Sequence, residues 1–541
     1  MVSGRERSFC LVTELLRFFL FPTCTLPVWH PGTIVTMELT HIRINPIKTP
    51  RLGPLPGGWK YIMHGVKLKH HGRGLVALFL CLVLVAGRMM VGPPAARAMT
   101  IGEEREIGQK LLYQIRTRFH LLDDPDISQY MNNLGQEILA VAGPQYFKYH
   151  FFVVQSDQFN AFAAPAGLVF FYTGLIETMQ NEDELVSVMA HEIGHVVSRH
   201  IASGSEKNAK VSAISMALGM ASLALGDPAL AQGLFTGFVA AGQAVDLHFS
   251  REDEEQADRL SFDWMNKLHR NPEAMVDMLK TMRRISRYSM GHIPPYLQTH
   301  PNPEARLDYV QSLINLQKAR GEKNHYIKTD NFAFLRMKSR VFVAGNDPQK
   351  ARIYFTNSLA SSKNREQSAM ATYGLALLEA QGLNFKKALK DMALVRKQYP
   401  DRSILEVDTG VMYLNSGDLD RAYILLSQAA DRNPDDMYAA INLARVLEKK
   451  GEIKAAEQLY DKVARAMPEY AKVYYDLGRI KEKEGMTGTS YFYLGKYYLY
   501  EGKIKFAGQY LNQSKDNKSV PAPLRNEAKK LLKQLEKLKL L

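Results

Sequence analysis

The 541 residues are enough for two or more domains, and 46% hydrophobic with 23% charged residues is ordinary globular composition. The formal charge of +14 sits largely at the front, where residues 1–98 carry net +9 and leave +5 for the remainder; with no nucleic-acid motif beside it, nucleic acid is excluded as a partner. All three cysteines, Cys10, Cys24 and Cys81, precede Ala98, which denies the rest of the chain a disulfide, a thiol nucleophile or a thiolate-bound metal.

Residues 1–62 mix apolar patches with Pro and Gly and show no sustained periodicity. Lys67 to Ala98 then runs through a basic flank, an apolar stretch from Leu75 to Ala86, and Ala96-Arg97-Ala98. This is the anatomy of a secretory signal cleaved after Ala98, and the apolar run is short for a membrane span. The expectation is a cleaved signal peptide over 63–98 rather than a retained anchor. Translation then begins near Met63 or Met37, and 1–62 is an over-extended start or disordered.

Thr100 with Glu103 predicts a capped helix through Ile107, Leu111, Leu112 and Ile115, and Asp126 the start of a second through Tyr130, Leu134 and Ile138. From Lys148 to Tyr172 two β-type runs, YHFFVV and GLVFFY, flank SDQFNAFAAPA, which reads as strand, irregular turn, strand. Such a strand either pairs with an extended polypeptide or simply supports the helix that follows.

That helix is expected from about Glu182 to His200, capped by Asn181 with Glu184, and it contains His191-Glu192-Ile193-Gly194-His195. Positions i and i+4 of a helix share a face, so both imidazoles can reach one metal while Glu192 stands beside them. Two neutral imidazoles suit Zn2+ and leave room for a third ligand and a water that Glu192 can deprotonate as general base. The competing reading, core histidines satisfied by hydrogen bonds, weakens once the downstream acids are counted. His200 reads as a helix-end residue near the dipole. Ile201, not histidine, stands six residues past His195, which excludes the three-histidine zinc pattern.

Val211 to Asp246 is rich in Ala, Gly, Leu and Met, with Asp227 its only charge before Asp246; it reads as a buried helical hairpin, a lid over the site, or a surface dipping into a membrane. Ser250 to Trp264 follows, SREDEEQADRLSFDW, where Glu254 and Asp258 share a helix face. Glu254 is the candidate third ligand, with Glu252, Asp253 and Glu255 as rivals, and Asp258 is placed one turn on to hold a ligand histidine in its tautomer.

Further along, Pro400, Pro434 and Pro468 recur every 34 residues, as do Gly417, Gly451 and Gly485, with Ala388, Ala422 and Ala456 in the same period. This is the tetratricopeptide pattern of antiparallel helix pairs. Further pairs are expected over 332–361 and 491–515 after a disturbance near Gly485 to Thr489, with Lys529 to Leu541 as the capping helix. Stacked repeats present a concave surface to polypeptides, and Tyr474, Tyr475, Tyr491, Tyr493, Tyr497 and Tyr498 enrich one part of it in aromatics.

HEIGH, Glu254-x-x-Ala257-Asp258, NAFAAPAGLVFFYTGLI, Thr299-His300-Pro301 and Arg306 together resemble the gluzincin metallopeptidases that include the heat-shock protease HtpX and the CAAX prenyl protease. The resemblance is strongest to their periplasmic branch with helical repeats and spans nearly all of 99–541. Gln256 departs from it, where the family often has Glu. The resemblance implies that His300 caps or gates the zinc and that Arg306 supports the site. It also implies a role in the Gram-negative periplasm: degrading misassembled outer-membrane proteins, and engaging their assembly machinery through the repeats.

The resulting expectation is a mainly α protein: a zincin-like zinc metallopeptidase domain with a small β-sheet over 99–325, then an α-solenoid of tetratricopeptide repeats over 332–541. Its metal ligands would be His191, His195 and Glu254, with Glu192 catalytic and Zn2+ the cofactor. Its partners would be unfolded or misassembled proteins, with peripheral membrane association. The alternative is a chaperone or scaffold whose capped metal site does not cut in the resting state.

Overall fold

The computed structural model describes residues 99–202, 249–288, 294–321, 325–538 and 540–541. The expected start, signal peptide and apolar segment 211–246 lie outside the described residues.

Helix α1 (Ile101–Arg118) opens on the expected capping box: Thr100 Oγ1 accepts from the Glu103 amide at 3.2 Å, and Glu103 accepts from the Thr100 amide at 2.8 Å. Helix α2 (Pro125–Ala142) starts differently from expectation. Its N-cap is Asp124, whose Oδ1 accepts from the amides of Asp126 and Ile127, and Pro125 fills the first turn where no amide partner is needed. Asp126 is thereby released to pair with arginine, as described below.

The sheet has the order β1-β3-β2, with β1 (His150–Val154) parallel and β2 (Ala161–Ala164) antiparallel to β3 (Leu168–Tyr172). The segment expected as an irregular turn therefore contains a strand. Four residues, all buried, leave no alternation for a sequence pattern to register. The tight return from β2 to β3 passes through Gly167 at φ +85°, where an added Cβ would lie 2.9 Å from the Lys148 carbonyl.

A short α3 (Thr173–Thr178) leads into α4 (Glu182–Val197), followed by α5 (Arg251–Lys267), α6 (Glu273–Tyr288), α7 (Pro295–Thr299) and α8 (Pro303–Ala319). Asn181 caps α4 by accepting from the Glu184 amide at 3.0 Å, while the Glu184 carboxylate bonds the Gln180 amide and the Asn181 side chain. Nearly every α4 side chain is buried, because the helix lies between β2, α5 and α6. Leu185, Val188, Met189 and Ile193 join Ile138, Phe151 and Val169 in one core. A Cβ on Gly194 would stand 3.2 Å from Ala257 Cα, so α4 and α5 approach almost backbone to backbone.

The second half is a run of helices: α9 (Phe332–Gly345), α10 (Pro348–Ala360), α11 (Arg365–Gln381), α12 (Phe385–Gln398), α13 (Ile404–Ser416), α14 (Leu419–Arg432), α15 (Met437–Lys450), α16 (Ile453–Ala466), α17 (Ala471–Lys483), α18 (Thr487–Tyr500), α19 (Ile504–Lys515) and α20 (Ala522–Lys537). Gly417 and Gly451 end their helices at φ +88° and +86°, a conformation that a β-carbon disfavours. Gly485 does the same between α17 and α18, so the expected disturbance there is an ordinary interhelix turn. The capping helix begins at Ala522, earlier than expected.

Part of the repeat surface is covered by the first domain itself: α9 and α15 pack on α2, and α18 packs on α1. Arg336 anchors this junction from the buried side, pairing with Asp126 at 2.8 and 3.0 Å and with Asp408 at 2.7 and 2.8 Å. Arg340 adds contacts to Asp124 at 2.7 Å and Asp126 at 2.9 Å. Among the described residues, no helix is long and apolar enough to cross a membrane.

Candidate metal centre

Helix α4 presents His191 and His195 on one face with their Nε2 atoms 3.1 Å apart. Because α5 lies so close at Gly194, Glu254 in its first turn reaches both: Oε1 is 3.4 Å from His195 Nε2 and Oε2 is 3.6 Å from His191 Nε2. His300, at the C-terminal end of α7, brings Nδ1 to 2.9 Å from Glu254 Oε1 and 3.4 Å from His191 Nε2. Ligand atoms of these four residues all lie within 4.8 Å of one another, and every one of the residues is buried. The rivals point elsewhere. Asp253 caps Ser250, Glu255 pairs with Arg251 in solvent, and Glu252 is exposed.

The set fits a divalent cation on chemical grounds. Two imidazole nitrogens facing each other beside a carboxylate, all withdrawn from water, need a cation or a proton between them, and a nitrogen-rich set with one carboxylate suits zinc. Glu192 Oε2 and His300 Nε2 are buried and have no hydrogen-bond partner among the described residues.

A second ring of side chains fixes the donors. Asp258 Oδ1 lies 2.9 Å from His191 Nδ1, leaving Nε2 for the cluster. Arg306 grips Asp258 through Nε at 2.9 Å and Nη2 at 2.7 Å, and Nη1 lies 2.8 Å from Glu254 Oε2. His200 differs from expectation: it is buried, and its Nδ1 sits 2.8 Å from His195 Nδ1, with Nε2 2.9 Å from Gln256 Oε1. An unbroken helix would carry position i+5 away from His195. Here α4 ends at Val197 and Arg199 takes φ +54°, which folds His200 back under His195.

Charge and burial oppose each other throughout the site. Burial pushes the His195 imidazole well below its ordinary range, against the pull of Glu254. Burial would raise Glu254, but His300 and Arg306 outweigh it and hold the carboxyl well below the usual range. Asp258 is likewise lowered, burial being overcome by Arg306 and His191. Burial lowers His300, yet Glu254 and Glu192 carry it above its ordinary value. The site thus favours Glu254 and Asp258 as anions and His195 as a neutral imidazole, forms suited to metal ligation, while the neighbouring acids hold His300 toward its protonated form.

Glu192 is wholly buried beside this group; its Oε1 accepts from the Tyr296 hydroxyl at 3.2 Å and lies 3.6 Å from His300 Nε2. Tyr296 stacks on His300 with centroids 4.4 Å apart, and Phe249 covers His195 at 3.9 Å. Sequence reasoning missed both aromatics. The available signal for Tyr296 was its place one turn before His300 in a short Pro-led helix.

Residues 125–314 match the model of peptidase family M48, and residues 413–480 match a tetratricopeptide repeat model. The chain is 28% identical over 381 residues to the beta-barrel assembly-enhancing protease of Yersinia pestis, covering 70% of this chain and 77% of that protein. It is 30% identical to the Escherichia coli (strain K12) protein of the same name, over 56% of this chain and 61% of that one. A shorter match, 29% identical over 34% of this chain and 52% of the relative, is to the mitochondrial metalloendopeptidase OMA1 of Schizosaccharomyces pombe. The buried His and Glu donors fall in the matched segment and helical repeats follow it, so the chain carries an M48-type peptidase domain ahead of tetratricopeptide repeats.

Proposed function

We propose that the chain is an exported zinc-dependent endopeptidase that cuts misassembled outer-membrane proteins in a Gram-negative periplasm and engages clients and their assembly machinery through its repeats. The observation that carries the catalytic part is the convergence of His191, His195, Glu254 and His300 beside a wholly buried Glu192. The outer-membrane part rests on the name of the relatives and on the signal-like segment 63–98.

His191, His195 and Glu254 would hold Zn2+, with His300 as a fourth donor. Bound there, the ion supplies Lewis acidity, lowering the pKa of water and polarising an acyl oxygen. Glu192 takes the proton of the attacking water on Oε2, the oxygen without a partner among the described residues, while the Tyr296 hydroxyl steadies Oε1. The same carboxyl then returns the proton to the leaving amine as the C–N bond breaks. Asp258 and Arg306 keep His191 and Glu254 oriented, and His200 does so for His195.

Glu192→Gln in the mature chain tests this. Cleavage of unfolded casein is expected to vanish while zinc content stays at that of the wild type; equal cleavage would end the hydrolase reading. A second reading, a client-holding scaffold with a capped centre, is favoured by one observation. His300 already fills a donor position, and the whole cluster is shielded from solvent. His300→Ala separates the two: a rise in cleavage marks His300 as a gate on a working enzyme, and no cleavage in either form supports the scaffold.

A further inference from the structure

Four carboxamides line one face of α2: Gln129, Asn132, Asn133 and Gln136, spaced i, i+3, i+4 and i+7. They form one wall of a cleft of about 410 Å3 bounded by β1, by Met437 at the start of α15 and by the segment from Met467 to Tyr470 that leads into α17. No donor or supporting residue of the metal centre lines it. Two of the four amides are engaged, and both bond to main chain. Asn132 accepts from the Phe151 amide and donates to the Phe151 carbonyl, each at 3.3 Å, capping the edge of β1. Gln129 accepts from the Met437 amide at 2.9 Å and donates to the Asp435 carbonyl at 2.5 Å. Asn133 and Gln136, further along the same face, are exposed, and their side chains have no partner among the described residues.

We infer that this cleft holds an extended stretch of the polypeptide substrate, with Asn133 and Gln136 pairing to its peptide groups; the inference rests on the peptidase reading above. A carboxamide carries one acceptor and a donor pair, the same complement as a peptide unit, so it recognises backbone whatever the side chains. Spacing agrees. Residues three apart on a helix lie roughly 5–6 Å apart. Like-facing peptide groups of an extended chain repeat every ~6.7 Å, within side-chain reach of both. A folded helix would leave no free peptide groups to read. Met467, half-buried in the lining, is a flexible apolar side chain that adapts to differing client side chains, as a client of no fixed sequence requires. Of the charged residues in the lining, Glu469 is paired within the protein, 3.5 Å from Arg116 and 3.4 Å from His150. The surface also continues an interface the chain already makes, since Gln129 reads the repeat loop as Asn133 and Gln136 would read a client.

The test is Asn133→Ala/Gln136→Ala in the full zinc-loaded chain, two exposed helix positions where alanine does not threaten folding. KM for unfolded casein is expected to rise about tenfold with kcat unchanged, as two lost hydrogen bonds imply. KM for a short fluorogenic peptide that occupies only the metal site should stay put. A casein KM within twofold of wild type would overturn the inference, and so would equal losses on both substrates. Should the wild type cleave neither, the peptidase reading fails by itself. The cleft is then decided by anisotropy of labelled casein on the same two chains, where tenfold weaker binding supports it and unchanged binding overturns it.

Discussion

Replacing Gly194 with Ala probes the contact on which the metal centre is built. The new methyl would meet Ala257 at 3.2 Å from Cα, 3.4 Å from O and 3.5 Å from Cβ. Two effects oppose. Alanine is the better helix former by about 1 kcal/mol, whereas overpacking a tight contact costs about 1–3 kcal/mol. The packing term wins here because the obstacle is backbone, which cannot rotate aside, so α4 and α5 must part by a few tenths of an ångström. A net loss of up to about 2 kcal/mol is expected in urea unfolding of the metal-free chain. The larger effect falls on the metal. Ala257 lies between Glu254 and Asp258 on α5, so the shift moves a candidate ligand and the partner of His191 together. Zinc affinity, measured by competition with a chromogenic chelator, should drop about tenfold. Affinity within twofold of wild type would show that the helices have slack, and would refute the claim that this contact sets the donor geometry.

Arg336→Met leaves Asp126 and Asp408 buried with less counter-charge, and a loss of about 3–5 kcal/mol is expected in chemical denaturation; an unchanged midpoint would mean that Arg340 alone satisfies both. His200→Ala removes the partner of His195 Nδ1 and should lower zinc affinity about 10- to 100-fold while leaving Glu192 in place; unchanged affinity in the chelator competition would make His200 a packing residue only. Burial pushes the Lys338 ammonium down to about 8, against the pull of Glu184 and Glu177. Below that pH the folded chain carries the full cost of a buried charge. Between pH 8 and the unfolded value of about 10.4 the folded state releases its proton first, so stability rises with pH. Lys338→Met should therefore stabilise the chain at pH 7 by about 1–3 kcal/mol, less the lost bond to the Met179 carbonyl, and lose that advantage near pH 10.5. A difference that does not change between pH 7 and 10 would sink this account.

The local parts of the molecule were open to reading because their signals are short-range. His191 and His195 are four apart on one helix, the repeat glycines are 34 apart, and Thr100 caps with Glu103, so helical periodicity and capping chemistry suffice to place them. β2 escaped because four buried alanine-rich residues look like a loop, and His200 escaped because its approach to His195 depends on a left-handed residue after the helix end. The disturbance expected near Gly485 was a misreading of an ordinary turn.

Amino-acid order by itself determined which residues are candidates for metal chemistry, where the helices lie, and that a repeat array follows a peptidase domain. Only the tertiary structure decided that Glu254, rather than its acidic neighbours, faces the two imidazoles, that His300 joins them, and that the repeats close on the first domain through Arg336. These contacts join residues 46 to 210 positions apart. Such distances are bridged by packing, Gly194 against Ala257 above all, and packing between helices leaves no periodic trace along the chain.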